Sequence, residues 1–247
     1  MSTTAILIEA DPKNTLGGSC IRDLYNMSNH LSYICNISNT YVLTNNNISD
    51  DVKCTFSRDC NFVVVDNFTF QFINIINTIP ANTTLFLLIS GHGYQMKDDN
   101  GDEDDGKDEY IIMNKIIKDD LLKQLIYSVN DSIYVVCVCD TCHSGSMFDL
   151  DYTYINNEWI NDSSSADNSR NIISISACKD NQLENCDIGN IGFGGALCVH
   201  LIDNNYVRCL IDRDIIAIKQ MYNELSKILS NFNQIPVIQT SCVDFII

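Results

Sequence analysis

Two uninterrupted apolar runs constrain this chain more than any other feature of its sequence. Thr84–Ser90 (TLFLLIS) and Ser132–Cys139 (SIYVVCVC) contain no charged residue and are rich in aliphatic and aromatic side chains. A strand with one wet face alternates polar and apolar positions, whereas a run without alternation suits a parallel strand covered on both faces. Thr4–Ala10 (TAILIEA) reads as a third buried strand. Segments with helical spacing separate these runs. Cys20–Leu31 carries Ile21, Leu24, Met27 and Leu31; Thr69–Ile79 stops at Pro80; and a helix from Asp119 carries Leu121, Leu122, Leu125 and Ile126, with Asp119 placed as its N-cap. Further strands are expected at Tyr41–Leu43, Asn61–Val65, Glu109–Met113 and Asn171–Ala177, with an edge strand at Val237–Gln239. Further helices are expected at Ala196–Ile202 and Ile211–Ser230. The pattern predicts an α/β fold, a three-layer α/β/α sandwich around a mostly parallel central sheet. The polar stretch 151–169 reads as a loop inside one domain spanning 1–247, between regions 1–150 and 170–247.

A chain of 247 residues is long enough for a full hydrophobic core. Its net charge of −17, from 32 acidic and 15 basic residues, repels phosphate backbones and anionic lipid, so nucleic-acid and membrane partners are not expected. No apolar run reaches the roughly 20 residues of a membrane span. The N-terminal residues have neither a basic segment nor a long apolar one, so a cytoplasmic protein is expected. Twelve cysteines in such a compartment read as free thiols. Cys137 and Cys139 alternate along one strand and so share a face as small core residues, and nothing nearby completes a four-ligand zinc site with them.

Two of the strands end in reactive residues. The first closes on Ser90-Gly91-His92-Gly93 and the second on Asp140-Thr141-Cys142-His143-Ser144-Gly145-Ser146, with His92 and Cys142 fifty residues apart. Ligands in open α/β sheets sit beyond the carboxyl ends of the strands. A thiol there needs an imidazole to take its proton and later return it to a leaving amine. Asp140 lies two residues from Cys142, and two carboxylates can fork a guanidinium or pair an ammonium. The acidic run 97–109 holds eight carboxylates in thirteen residues. It is not an EF-hand, because the sixth position counted from Asp98 is Glu103 rather than glycine.

Those two motifs resemble the signatures of the metacaspases, caspase-like cysteine peptidases. Gly18-Ser19-Cys20-Ile21-Arg22-Asp23, Ile173–Gln182 and Gly192–Leu197 resemble further family segments, so the likeness runs from Thr4 to about Ile202. The resemblance implies a caspase-like fold. In it Cys142 is the nucleophile, His92 the general base and then acid, and the N–H groups of Gly93 and Cys142 the oxyanion hole. It also implies an Arg/Lys pocket at Cys20, Asp23, Ser90 and Asp140, and an activating calcium ion held by Asp108, Asp119, Asp120 and Asp149. No organic cofactor is implied, and the expected enzyme is a monomeric endopeptidase acting on protein or peptide substrates. His143 is expected to be structural. Tyr94 and Gly194 depart from the residues usual in the family, and no prodomain is expected before the first strand. Between Lys123 and Ser169 there is no Lys or Arg. An Arg/Lys-specific enzyme therefore cannot cut its own 151–169 loop, except at Arg170 at its end, and activity as a single chain is expected. The rival readings are an inactive caspase-like scaffold and a calcium-binding regulatory module.

Overall fold

A computed structural model of the chain describes residues 2–56, 60–98, 106–161, 170–183 and 194–243. Most of the acidic run (99–105), the end of the polar stretch (162–169) and Gly192 lie outside the described residues. In chain order the first elements are β1 (Ser2–Ala10), α1 (Ser19–Ile34), β2 (Asn36–Thr44), the short helix α2 (Asp50–Lys53), β3 (Cys60–Val64), α3 (Phe68–Ile76) and β4 (Thr84–Gly91). There follow β5 (Gly93–Lys97), β6 (Lys107–Ile112), β7 (Ile116–Lys118), α4 (Asp119–Tyr127), β8 (Tyr134–Asp140), and the hairpin β9 (Tyr152–Ile155) and β10 (Glu158–Asn161). The chain continues through β11 (Ile172–Ser176), α5 (Ala196–Asp203), α6 (Tyr206–Asp212), α7 (Ile215–Ser230) and β12 (Val237–Thr240).

Nine strands form one sheet in the order β10-β9-β12-β11-β8-β4-β1-β2-β3. The six from β11 to β3 are mutually parallel, while the pairings β11–β12, β12–β9 and β9–β10 are antiparallel. Alternation along the central strands explains why their sequences lack polar interruptions. Leu85, Leu87 and Ile89 of β4, with Val135, Cys137 and Cys139 of β8, face a core shared with α3 and α4. Phe86 and Leu88, with Tyr134, Val136 and Val138, face a second core shared with α1, α5, α6 and α7. Both faces of the sheet are therefore dry, and the architecture is the expected three-layer sandwich. A small antiparallel sheet, β5-β6-β7, lies outside it.

Three local expectations change. The edge strand predicted at Val237–Gln239 is interior, because β9 pairs with β12 beyond it. That partner comes from the stretch 151–169, expected as a loop, whose first half forms the β9–β10 hairpin around Asn156 and Asn157, both at positive φ. Asn tolerates the left-handed region, so polar composition there encodes a turn as well as a loop. The single helix expected over Ile211–Ser230 is two helices. Arg213 ends α6 at φ 59, and the Asp214 carboxylate caps α7 by accepting from the Ala217 N–H at 3.1 Å. One cap also shifts by a residue: Lys118 is the N-cap of α4 and Asp119 its first residue.

Candidate active site

Strand periodicity builds the site. Ser90 and Asp140 pair in register on neighbouring parallel strands. Their even-numbered positions place both side chains on the α1 face of the sheet. Asp23 and Cys20, one helical turn apart on α1, meet them there. Ser90 Oγ donates to Asp23 Oδ2 at 2.7 Å. The amide of Gly195, just before α5, donates to both Asp23 oxygens at 3.1 Å, and the Cys198 N–H donates to Asp140 Oδ2 at 2.7 Å. Asp140 Oδ1 is buried without a hydrogen-bond partner. Burial raises the pKa of both carboxyls, and the negative charge of Asp140 raises that of Asp23 further. Burial, with Asp23 nearby, also pushes the Cys20 thiol up. Two carboxyls are thus buried side by side and closed over by backbone. A Cβ on Gly194 would lie 1.8 Å from Asp23 Oδ1, and one on Gly195 would lie 2.4 Å from Asp140 Oδ2. The glycine at 194 is thus what lets the chain sit directly on the pocket.

His92 and Cys142 each follow that register pair by two residues, so they leave the sheet side by side. Close backbone approach is the reason for the flanking glycines. A Cβ on Gly91 would lie 2.4 Å from the Ala10 carbonyl oxygen, and one on Gly93 would lie 1.8 Å from that of Cys142. The His92 N–H donates to the Ala10 carbonyl at 3.0 Å, tying His92 to the end of β1. Cys142 is half-buried. His143 turns away: its Nδ1 bonds the Asp180 carbonyl and its N–H the Gln182 carbonyl. It therefore anchors the 180–182 segment, in keeping with a structural role.

Sequence reasoning missed several neighbours of His92 and of the loop that carries Cys142. His92 Nε2 bonds Thr15 Oγ1 at 2.7 Å and lies 3.9 Å from Asp11 Oδ1. The rings of His92 and Tyr94 are 5.8 Å apart, and Tyr94 stacks on Tyr110 at 5.3 Å, an aromatic wall beside His92. Next to the loop after Cys142, the buried Glu109 accepts from Ser146 Oγ at 2.5 Å and Gln95 Nε2 at 2.7 Å, while Asp180 accepts from the Ser146 N–H at 2.8 Å. Burial pushes Glu109 up to about 7. Asp11 and Thr15 lie in a turn whose contacts with His92 span 77 residues, and no local pattern announces them.

The four aspartates implied for calcium surround α4 and the nucleophile loop. Asp119 accepts from the Glu109 N–H at 2.7 Å, which connects this region to the Ser146 network. Burial pushes Asp119 up to about 6; hydrogen bonds from the Asp120 and Glu109 amides oppose this, and the charges of Asp108 and Asp120 add to it. Lysines already serve two of the four: Lys118 pairs with Asp108, and Lys123 with Asp149 at 2.6 Å. Among the described residues, the one group of three metal-capable side chains with ligand atoms within 4.8 Å of one another is Asp23, Asp140 and Cys198, not these aspartates. The four side chains offer hard carboxylate oxygens, the donor type calcium takes, but no three of them bring ligand atoms within 4.8 Å of one another, and lysines pair with two of them.

Comparison with known proteins decides the family. The model for the metacaspase, peptidase C14 domain matches residues 4–151, which include His92, Cys142, Asp23 and all four aspartates. The chain belongs to the metacaspase family. Metacaspase-1 of Plasmodium falciparum is 36% identical over 133 residues, covering 49% of this chain and 22% of that protein. Metacaspase-1 of Ajellomyces capsulatus is 32% identical over 146 residues, covering 55% of this chain and 38% of that protein. Metacaspase III c of Phaeodactylum tricornutum is 30% identical over 142 residues, covering 55% and 40%. The chain thus spans well under half the length of these curated relatives. A crystal structure of a Geobacter sulfurreducens protein shares the fold, with a TM-score of 0.58 at 20% identity over 97% of this metacaspase and 93% of that chain.

Proposed function

We propose that this metacaspase is a cysteine endopeptidase that hydrolyses proteins or peptides after Arg or Lys, working in the cytoplasm as a single chain and activated by calcium. One observation carries the reading. Ser90 and Asp140 pair in register on β4 and β8, His92 and Cys142 each lie two residues beyond that pair, and Asp23 and Asp140 form a buried acid pair that a basic side chain could neutralise. A basic substrate side chain would enter by displacing the Gly194–Gly195 segment and replacing its N–H on Asp23.

Cys142 Sγ attacks the scissile carbonyl as its proton passes to His92. The N–H groups of Gly93 and Cys142 stabilise the oxyanion, and His92 then protonates the departing amine. Water, activated by the same imidazole, releases the acid from the thioester. Calcium would be held by Asp108, Asp119, Asp120 and Asp149, where it would supply positive charge in place of Lys118 and Lys123. Asp119, Glu109 and Ser146 connect those carboxylates to the nucleophile loop.

The test is hydrolysis of paired fluorogenic peptides ending in Arg or Asp, with millimolar calcium or with chelator, by the wild type and Cys142→Ala. Cleavage after Arg that requires both calcium and Cys142 is expected. Silence towards Arg peptides, from folded and reduced protein at high calcium, would refute the reading.

A further inference from the structure

We propose that Asp11, acting through the Thr15 hydroxyl, is a positioning residue that fixes which nitrogen of His92 carries the proton. The proposal rests on His92 being the base for Cys142. Asp11 is 1% exposed and accepts three hydrogen bonds: from the Thr15 N–H at 2.9 Å, the Leu16 N–H at 2.8 Å and Thr15 Oγ1 at 3.0 Å. A threonine hydroxyl has a single proton to give, and here Asp11 takes it. Towards His92 Nε2, at 2.7 Å, the oxygen offers only lone pairs. That bond forms only when Nε2 carries hydrogen. The other tautomer would set two lone pairs against each other at hydrogen-bond distance, or would strip the buried carboxylate of a donor.

The neutral ring therefore keeps its free lone pair on Nδ1. In the proposed reaction the Cys142 S–H bond breaks and an Nδ1–H bond forms, with Nε2–H still donated to Thr15. When the amine leaves, the Nδ1 proton moves to it and the ring returns to the same tautomer. Asp11, 3.9 Å from Nε2, faces the ring while it is positively charged. The Tyr94 ring lies beside it and carries no charge. Holding a base in one tautomer matters because the wrong one has its proton where the lone pair is needed.

The test uses the full chain labelled with 15N, in which only four histidines must be assigned. Long-range proton–nitrogen correlation across a pH series reads the tautomer of the neutral His92 ring directly. We expect the Nε2–H form in the wild type and in Thr15→Ser, and a mixture with the Nδ1–H form in Thr15→Val, an exposed position where substitution spares the fold. With an Arg peptide, Thr15→Val should lose about 10- to 100-fold in kcat with KM unchanged, and Thr15→Ser should recover it. Asp11→Asn, with folding checked by circular dichroism, should lose a similar factor. A wild-type Nδ1–H tautomer, a spectrum unmoved by Thr15→Val, or an altered tautomer with unaltered kcat would each overturn the proposal. If the tautomer shifts as expected but neither the wild type nor Cys142→Ala cleaves peptides, the proton assignment stands and the peptidase reading falls.

Discussion

Replacing Glu109 by glutamine should flatten the dependence of stability on pH. Glu109 is 1% exposed, and burial lifts its carboxyl from the ordinary 4.5 to about 7; the bonds from Ser146 and Gln95 oppose the shift, and Asp180 and Asp119 add to it. Between those two values the native state holds a proton that the unfolded chain has released. Stability must therefore fall as pH rises through the window, and the full loss is reached above about pH 7. The complete shift would be worth about 3 kcal/mol. Relaxation of the surrounding groups around the ionised carboxylate reduces this to about 1–2 kcal/mol. Asp119, lifted from 3.8 to about 6 by burial, contributes in the same direction and remains in the variant. The glutamine amide keeps the size and one carbonyl acceptor but cannot ionise. Urea unfolding of wild type and Glu109→Gln, in chelator at about pH 5 and about pH 8, measures the difference of differences and cancels every other titrating group. The wild type should lose about 1–2 kcal/mol more than the variant between the two conditions. Parallel losses would mean that the buried carboxyl does not titrate where its surroundings place it, and would refute the argument.

Three further outcomes follow from the same geometry. Gly93→Ala should keep the circular dichroism spectrum but lose at least about 100-fold in kcat, because its Cβ would lie 1.8 Å from the Cys142 carbonyl oxygen and must displace the nucleophile loop. Lys123→Gln should tighten calcium binding in isothermal titration by up to about fivefold, since its partly exposed pair with Asp149 at 2.6 Å is worth at most about 1 kcal/mol to the calcium-free state. Phe86→Ala, at a fully buried position of β4, should lower urea stability by about 3–5 kcal/mol without altering the pH dependence attributed to Glu109.

The fold was legible wherever a physical constraint acts over a few neighbouring residues. Continuous apolar runs such as Thr84–Ser90 could satisfy both faces only at the centre of a parallel sheet, and that is where β4 lies. The errors fell where the deciding partner is distant in sequence. Val237–Gln239 is short and follows a proline, which are the marks of an edge; only the pairing with Tyr152 and Thr153 makes it interior. The join between α6 and α7 turns on Arg213 at positive φ, a conformation that composition does not announce for arginine.

The site divides along the same line. Ser90, His92, Asp140 and Cys142 share two strand ends, and strand periodicity suffices to bring them together. The closure of the pocket depends instead on Gly194 and Gly195, some fifty residues beyond the nucleophile, and the proton on His92 depends on a turn 77 residues before it. Residues that react are conspicuous because their chemistry is rare at a strand end. Residues that orient them are ordinary polar groups, distinguished only by what they touch. The acid pair is capped by backbone, and two of the aspartates proposed for calcium are paired with lysines, so in the proposed enzyme each cation site holds an internal substitute that an external cation must displace. Under that proposal substrate and calcium affinities would be set as much by the donors already in place as by the carboxylates that receive them.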